Sequence, residues 1–349
     1  MTRFSLLSIL FFFAGCASIA ATPSVAPAEP QKSEVYYMTD DSSITDYQDD
    51  PEVVHKMVDY VVMATTETND VASAWRSLVK PGDRVGIKIS AAGGKFFSSH
   101  KSVVEAIVEG LESAGIARKD IIVWDREGLA AAGYTNHEGG YQVRSIESGE
   151  GYDPEAVIFS GILGKLIWGD LDFAKRDLKQ RSIVPQESEQ LSQDSHLCRI
   201  LSHDVTKVIN VPVLSTSESC GIAGCLYNMT VPNVDNWRRF GGNDSFICDL
   251  YSDERIGKKV VINIMDGLLA QYAGGPEFQP NYLFRHASIY ASKDPVALDT
   301  VALAHIEQWR SQGKLPRIAP RAAYLPTASQ MGLGAVKGDQ IDLREIRPR

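Results

Sequence analysis

The stretch from DRVGIKIS (residues 83–90) to IIVWD (residues 121–125) decides the fold of this chain. Both ends of the stretch are short apolar runs rich in β-branched residues, which is typical of buried strands. Between them, residues 100–114 carry apolar side chains every three or four positions, and Gly115 follows where a helix would end. A strand–helix–strand succession of this kind predicts a right-handed parallel unit.

The same alternation continues on both sides of this unit. Helices that begin near a proline are predicted at residues 51–63, 294–308 and 320–331. Further apolar strands are predicted at residues 207–213, 259–265 and 341–346. The segment at about 127–201 is irregular and reads as an inserted subdomain, with an apolar run at 157–168 that favours a hairpin. The predicted fold class is α/β, with a mainly parallel open sheet and helices on both faces.

A polar segment follows one of the predicted buried strands. In VINVPVLSTSESCGIAGCLYN, residues 208–228, the apolar run stops near a proline and is replaced by hydroxyl, carboxylate and thiol side chains. Ligands of open α/β sheets bind beyond the carboxyl ends of the strands. We therefore expect Ser215, Ser217 and Asn228 to contact a ligand.

Three charged residues stand in or at the ends of predicted strands. Lys88 lies within VGIKIS, and its side chain points to the face opposite to that of Val85, Ile87 and Ile89. It is either a residue at the sheet edge or a cation held near a ligand anion. Asp125 ends IIVWD and Asp266 ends VVINIMD, where an Asp commonly caps a turn. If the strands are parallel, all three emerge on one rim.

Two further features extend this predicted site. Gly274 and Gly275 form a loop in which backbone can approach a ligand, although a plain turn also explains them. Asp299 lies in the almost wholly apolar PVALDTVALAHI, so its carboxylate needs a cationic, metal or hydrogen-bonding partner. The predicted catalytic residues are Lys88, Asp266 and Asp299, and the two aspartates are also candidate ligands of a divalent metal.

The N-terminus predicts export. Residues 1–15 have a weakly positive start and a short apolar core, as in a signal peptide, and Phe13-Ala14-Gly15-Cys16 resembles a bacterial lipobox. Ordinary secretory cleavage near residues 18–20 is the alternative. Residues 16–33 are rich in Ala, Pro and Ser and favour a tether on a lipidated Cys16, followed by a single domain at 34–349. The expected location is lipid-anchored to a bacterial membrane, facing the periplasm or the exterior.

The remaining cysteines and the charge limit the cofactors and partners. In an exported chain, disulfides are the plain interpretation of Cys198, Cys220, Cys225 and Cys248. A zinc or iron–sulfur site is the alternative; a cluster is disfavoured because no second close cysteine pair exists. The net charge of −9 argues against nucleic acid as a partner.

Several motifs occur in the order seen in one known family. They are VGIKIS, IIVWD, NVPVL leading to GCLYNM, INIMDGLLAQYAGGP, IYASKDPVALDTVALAH and AAYLPTASQMGLG. The chain thus resembles the domain of unknown function 362 family over nearly all of its mature region. The resemblance implies an α/β fold and a shared polar site around Lys88, Asn228, Asp266, Asp294 and Asp299, but no reaction.

The chain departs from that family's pattern in one respect. Members often carry a lysine and a histidine after the VPVL strand and a lysine before the asparagine, where this chain has Ser215, Ser217 and Tyr227. An activity that needs those basic groups is therefore not implied. Some relatives carry ferredoxin-like cysteine clusters, which this sequence lacks.

Three functions are consistent with these patterns. The first is an exported enzyme in which Lys88 holds a small anionic substrate, while Asp266 and Asp299 either bind a metal that assists the reaction or act as acid and base. The second is a tethered lipoprotein that binds a small ligand or a metal without chemistry. The third is a structural lipoprotein whose polar residues each satisfy local backbone groups. Convergence of the charged residues favours the first hypothesis.

Overall fold

A ten-stranded sheet is the centre of the computed structural model, which describes residues 32–136, 139–158, 195–235, 237 and 244–347. Two short antiparallel pairs lie outside it, β2 with β3 and β7 with β8. The strands in chain order are β1 (Ser33–Thr39), β2 (Ile44–Thr45), β3 (Gln48–Asp49), β4 (Val85–Ile89), β5 (Ile121–Asp125), β6 (Gln142–Ser145), β7 (Tyr152–Ile158), β8 (Ser195–Cys198), β9 (Lys207–Val211), β10 (Val213–Ser217), β11 (Gly221–Ile222), β12 (Val260–Gln271), β13 (Leu283–Ser292) and β14 (Ile341–Glu345).

The sheet is mainly parallel, as the sequence predicts. Its order is β14-β1-β13-β12-β9-β4-β5-β6, and β10 pairs with β12 and β11. Neighbours from β12 to β6 are parallel, whereas β13 runs antiparallel to both β12 and β1. Parallel strands place their carboxyl ends at one edge, which defines where a ligand site is expected.

Helices cover both faces of the sheet, which confirms the predicted α/β class. One apolar core contains Ile87 and Ile209 and the first three helices, and the other contains Trp124 and Val208 and the last four. Successive side chains of a strand point to opposite faces, so each buried strand contributes to both cores. The helices are α1 (Pro51–Thr65), α2 (Val71–Leu78), α3 (Lys101–Ser113), α4 (Cys225–Thr230), α5 (Asp244–Ser252), α6 (Pro295–Gln312) and α7 (Tyr324–Gln330). None of these described helices has the length and apolar composition needed to cross a bilayer.

Two strand boundaries differ from prediction and change the site. Pro212 separates β9 from β10, because proline has no N–H to donate to a ladder. The strand predicted at 259–265 continues to Gln271, since residues 268–270 are apolar and buried and residues 269–271 pair with β13. Asp266 therefore lies inside β12 and not at its carboxyl end.

The segment predicted as an insertion at about 127–201 does not stand wholly apart from the sheet. Its first strand, β6, belongs to the main sheet as the parallel neighbour of β5, while β7 and β8 pair separately. Beyond Ile158, the predicted hairpin at 157–168 lies outside the described residues, as does the N-terminal segment with Cys16.

Candidate functional site

A cavity of about 520 Å³ opens at the carboxyl ends of β4, β5 and β10. Its wall includes Asp125, Ser217, Tyr227 and Asn228, together with residues 275–277. The volume is within the range of small-molecule sites, and the position is the one that open α/β sheets use for ligands. This cavity is the candidate functional site.

Lys88 lies beneath the cavity and is fully buried. Its ammonium group is 2.7 Å from Asp125 Oδ1 and donates to the Ile89 carbonyl at 2.8 Å and to Asn228 Oδ1 at 3.1 Å. An ammonium group has three N–H donors, so these contacts use all of them. Burial lowers the pKa of Lys88, while the charge of Asp125 opposes that shift. Lys88 thus supports the floor of the cavity, which Asp125 and Asn228 form.

The floor is joined to a row of polar side chains that crosses the sheet. Lys88, Asn210, Asn263 and Ser292 are register partners on adjacent strands. Asn228 Nδ2 donates to Asn210 Oδ1 at 2.8 Å, and Asn210 Nδ2 donates to Asn263 Oδ1 at 2.8 Å. Because these amides are fully or almost fully buried and hydrogen-bonded to one another, they fix both the strand register and the position of Asn228.

Asp125 has both carboxylate oxygens engaged. Oδ1 accepts from Lys88 and from the Arg126 N–H at 2.7 Å, and Oδ2 accepts from the Ala91 N–H at 2.6 Å. These bonds hold the loop after β4 against the loop after β5, so Asp125 shapes the cavity. It is a structural acceptor that also forms part of the ligand surface.

The described charged side chains of the rim are mostly acidic. Glu127, Glu218 and Glu277 are exposed, and Arg126 is their basic counterpart in the cavity wall. The Arg126 guanidinium lies 4.1 Å from the Trp237 ring centroid and 2.9 Å from Glu127. The rim therefore disfavours a strongly anionic ligand.

Asp266 belongs to a different group. Its Oδ2 accepts from the His100 backbone N–H at 2.6 Å and lies 2.8 Å from His100 Nδ1, and its Oδ1 accepts from the Leu268 N–H. Burial disfavours the His100 cation, but the charge and hydrogen bond of Asp266 outweigh this effect and raise the pKa of His100. Asp266 is 1% exposed and is not part of the cavity wall.

Asp299 anchors the first turn of α4 from the neighbouring helix α6. Its two oxygens accept from the Cys225 N–H at 2.6 Å and the Leu226 N–H at 3.0 Å. A side chain on Gly224 would collide with Asp299, because a Cβ there would lie 2.1 Å from Oδ1. Burial raises the pKa of Asp299 to about 7, although the backbone hydrogen bonds oppose that shift. Asp294 likewise caps α6, through the N–H groups of Val296 and Ala297.

The predicted ligand-binding residues divide between the cavity and its surroundings. Ser217 and Gly275 contribute to the wall, as do Asp125 and Asn228. Ser215 is fully buried and is not part of the wall. Gly274 is also outside the wall, but its N–H donates to the rim residue Glu218. The proposed catalytic set of Lys88, Asp266 and Asp299 is not brought together in the cavity wall.

The four cysteines of the described domain are buried free thiols, contrary to the predicted disulfides. Cys248 Sγ donates to the Tyr324 carbonyl at 3.2 Å, and the Cys198 thiol points toward Asn233 Oδ1 at 3.8 Å. Cys225 occupies the first turn of α4, and burial raises the pKa of its thiol. Each thiol is therefore held in its own packed environment.

A metal at Asp266 and Asp299 is not supported by the donor geometry. Both carboxylates already accept hydrogen bonds with each oxygen, from separate parts of the fold. Within the described ranges, no group of three or more His, Cys, Asp or Glu side chains is arranged to hold an ion.

Several residues of the site and its surroundings carry little or no signal in the sequence. Arg126, Trp237 and the polar row at Asn210 and Asn263 have no motif of their own. A signal existed for the two asparagines, because each interrupts an apolar strand, in VINV and in VVINIMD. His100 gave no spacing signal, since its partner lies 166 positions away.

Fold and cavity together define an α/β protein with a cavity at the carboxyl ends of its parallel strands. Residues 85–304, more than half of the chain, match the model of the domain of unknown function (DUF362), and the chain belongs to this family. A crystal structure of a Thermotoga maritima protein is similar at 13% identity and a TM-score of 0.39, covering 84% of this chain and 60% of that one. The chain thus spans less than two thirds of that protein. No curated protein matches the sequence.

Proposed function

We propose that this chain is an exported lipoprotein that binds a small molecule in the cavity without transforming it. The export signal and the lipobox-like sequence ending at Cys16 support the location. The cavity at the strand ends supports ligand binding.

The observation that carries the proposal is the saturation of Lys88. All three of its N–H donors are used by protein acceptors, so a bound anion would have to displace Asp125, Asn228 or the Ile89 carbonyl. Displacement would leave a buried acceptor without its partner, which costs about 1–3 kcal/mol or more. The lysine therefore supports the floor and is not an anion-binding group.

The other residues of the enzyme hypothesis also have structural partners. Asp266 is bound to His100 and Leu268, and Asp299 holds the first turn of α4. Neither belongs to the wall of the cavity. General acid–base catalysis needs groups within hydrogen-bond reach of the substrate. Binding is therefore better supported than chemistry.

The rim indicates the kind of ligand. Glu127 pairs with Arg126 and Glu218 pairs with Arg321, so Glu277 leaves the rim with a small acidic surplus. This surplus favours a neutral or cationic molecule over the small anion expected from the sequence. Tyr227 and Trp237 add aromatic surface, and residues 275–277 add backbone groups. A compact polar molecule with hydrogen-bond donors or a positive charge fits this lining.

We test the proposal by blocking the cavity with a large side chain. Ala92 is an exposed wall residue, so Ala92→Trp fills the opening without entering a core. Ala117→Trp, at an exposed position outside the wall, is the matched control. The wild-type chain and both variants are isolated from the native envelope and then denatured. The small molecules that they release are measured by mass spectrometry.

We expect one compound in near-stoichiometric amount from the wild type and Ala117→Trp, and its loss from Ala92→Trp. Retention by all three proteins, or by none, would refute the cavity as the binding site. Conversion of the released compound during incubation with fresh protein would replace the binding function by an enzymatic one.

A further inference from the structure

An imidazole–phenol–imidazole group lies apart from the cavity, between β13 and α6. Tyr290 Oη is 2.7 Å from His286 Nε2 and 3.4 Å from His305 Nε2. His286 and Tyr290 belong to the strand, and His305 belongs to the helix that packs on it. None of the three belongs to the cavity wall described above.

Aromatic rings enclose this group. Tyr37 stacks on Tyr290 with centroids 5.5 Å apart, and Trp309 stacks on His305 at 5.6 Å and meets His286 edge-on at 5.0 Å. Tyr290 is only 2% exposed, whereas both histidines are partly accessible. The three polar atoms therefore face one another in apolar surroundings that an ion can still reach.

We propose that His286, Tyr290 and His305 form a binding site for a divalent transition-metal ion of the Cu²⁺ or Zn²⁺ class. Neighbouring ligand atoms in a tetrahedral site with bonds near 2.0 Å are separated by about 3.3 Å, and the two distances here bracket that value. Imidazole nitrogens suit copper and zinc, and Cu²⁺ is generally the most tightly held divalent ion of its row.

The protein already holds the donors in place. The centroids of the two imidazoles are 5.8 Å apart, with Tyr290 Oη within reach of both Nε2 atoms. Ala287, beside His286, has a φ of 54°, a left-handed conformation that a residue with a Cβ rarely adopts. On binding, the ion replaces the hydrogen bonds around Tyr290 Oη, the phenol proton leaves to solvent, and the remaining coordination position is open to water.

The test is a Cu²⁺ titration of the detergent-solubilised full chain, followed by electron paramagnetic resonance and visible absorption. We expect one tightly bound equivalent with nitrogen coupling from two imidazoles and a phenolate-to-copper charge-transfer band. His286→Gln and His305→Gln are each expected to weaken binding at least tenfold. His55→Gln, at a histidine of α1 flanked by Asp59 and Glu109, is the control and is expected to bind as the wild type does.

Tyr290→Phe keeps the ring that stacks on Tyr37 and removes only the hydroxyl, so it separates coordination from folding. It is expected to abolish the charge-transfer band and to weaken binding. Unchanged affinity and absorption in this variant, or equal binding by all the histidine variants, would overturn the site. Loss of ligand from the cavity variants does not bear on this result, because the two sites share no residue.

Discussion

Replacement of Lys88 by methionine removes the ammonium group and keeps most of the side-chain volume. The change eliminates three hydrogen bonds and leaves the nearly buried Asp125 without its ion-pair partner. Removing one partner of a buried pair costs about 3–5 kcal/mol. Because Asp125 keeps the N–H groups of Ala91 and Arg126, we expect a loss near the lower figure, about 3 kcal/mol in the free energy of unfolding.

The assay is urea denaturation at pH 7, in which the midpoint falls while the slope is unchanged. A double variant, Lys88→Met with Asp125→Asn, removes the uncompensated charge and is expected to recover part of the loss. The resulting coupling energy should lie at about 1–3 kcal/mol. A loss below about 1 kcal/mol for Lys88→Met, combined with lost ligand binding, would refute the structural role of Lys88 and indicate a free cation in the site.

Asp299→Ala leaves two buried N–H groups at the start of α4 unpaired, at about 1–3 kcal/mol each. It should therefore lower stability in denaturant titration by about 2–6 kcal/mol, without loss of bound metal. Below pH 6.5 the wild type should be more stable than His100→Gln, because the folded protein binds a proton on His100 more tightly than the unfolded chain does. This difference in stability should disappear as the pH rises through the raised pKa of His100 in the folded state. Thermal melting of both proteins over a range of pH checks this prediction. Cys16→Ser should abolish incorporation of a labelled fatty acid, and incorporation by the variant would contradict the lipidation prediction.

The sequence predicted the scaffold well because local patterns determine it. The strand–helix–strand unit, the helices that begin at Pro51 and Pro295, and the opposite orientation of Lys88 and Ile87 all follow from patterns within a few residues. The cavity position follows from the parallel direction of the strands. Asp125 and Asn228 were therefore expected near the site, and the structure places them in its wall.

The grouping of the charged residues was not predictable in the same way. Asp266 looked like a strand end, but pairing with β13 extends the strand beyond it. Asp299 was correctly expected to need a partner, yet its partners are backbone N–H groups more than 70 positions away. The contacts of Lys88 with Asp125 and Asn228 depend on register and on the packing of α4, which one sequence does not encode locally.

Binding in the cavity is tested most directly by a crystal structure of the chain with the small molecule that it retains from its native envelope. We expect the molecule to lie above the Asp125–Asn228 floor, against Tyr227 and the 275–277 loop, with the contacts of Lys88 intact. A molecule bound beside Asp266 and His100, or one that contacts the Lys88 ammonium directly, would contradict it.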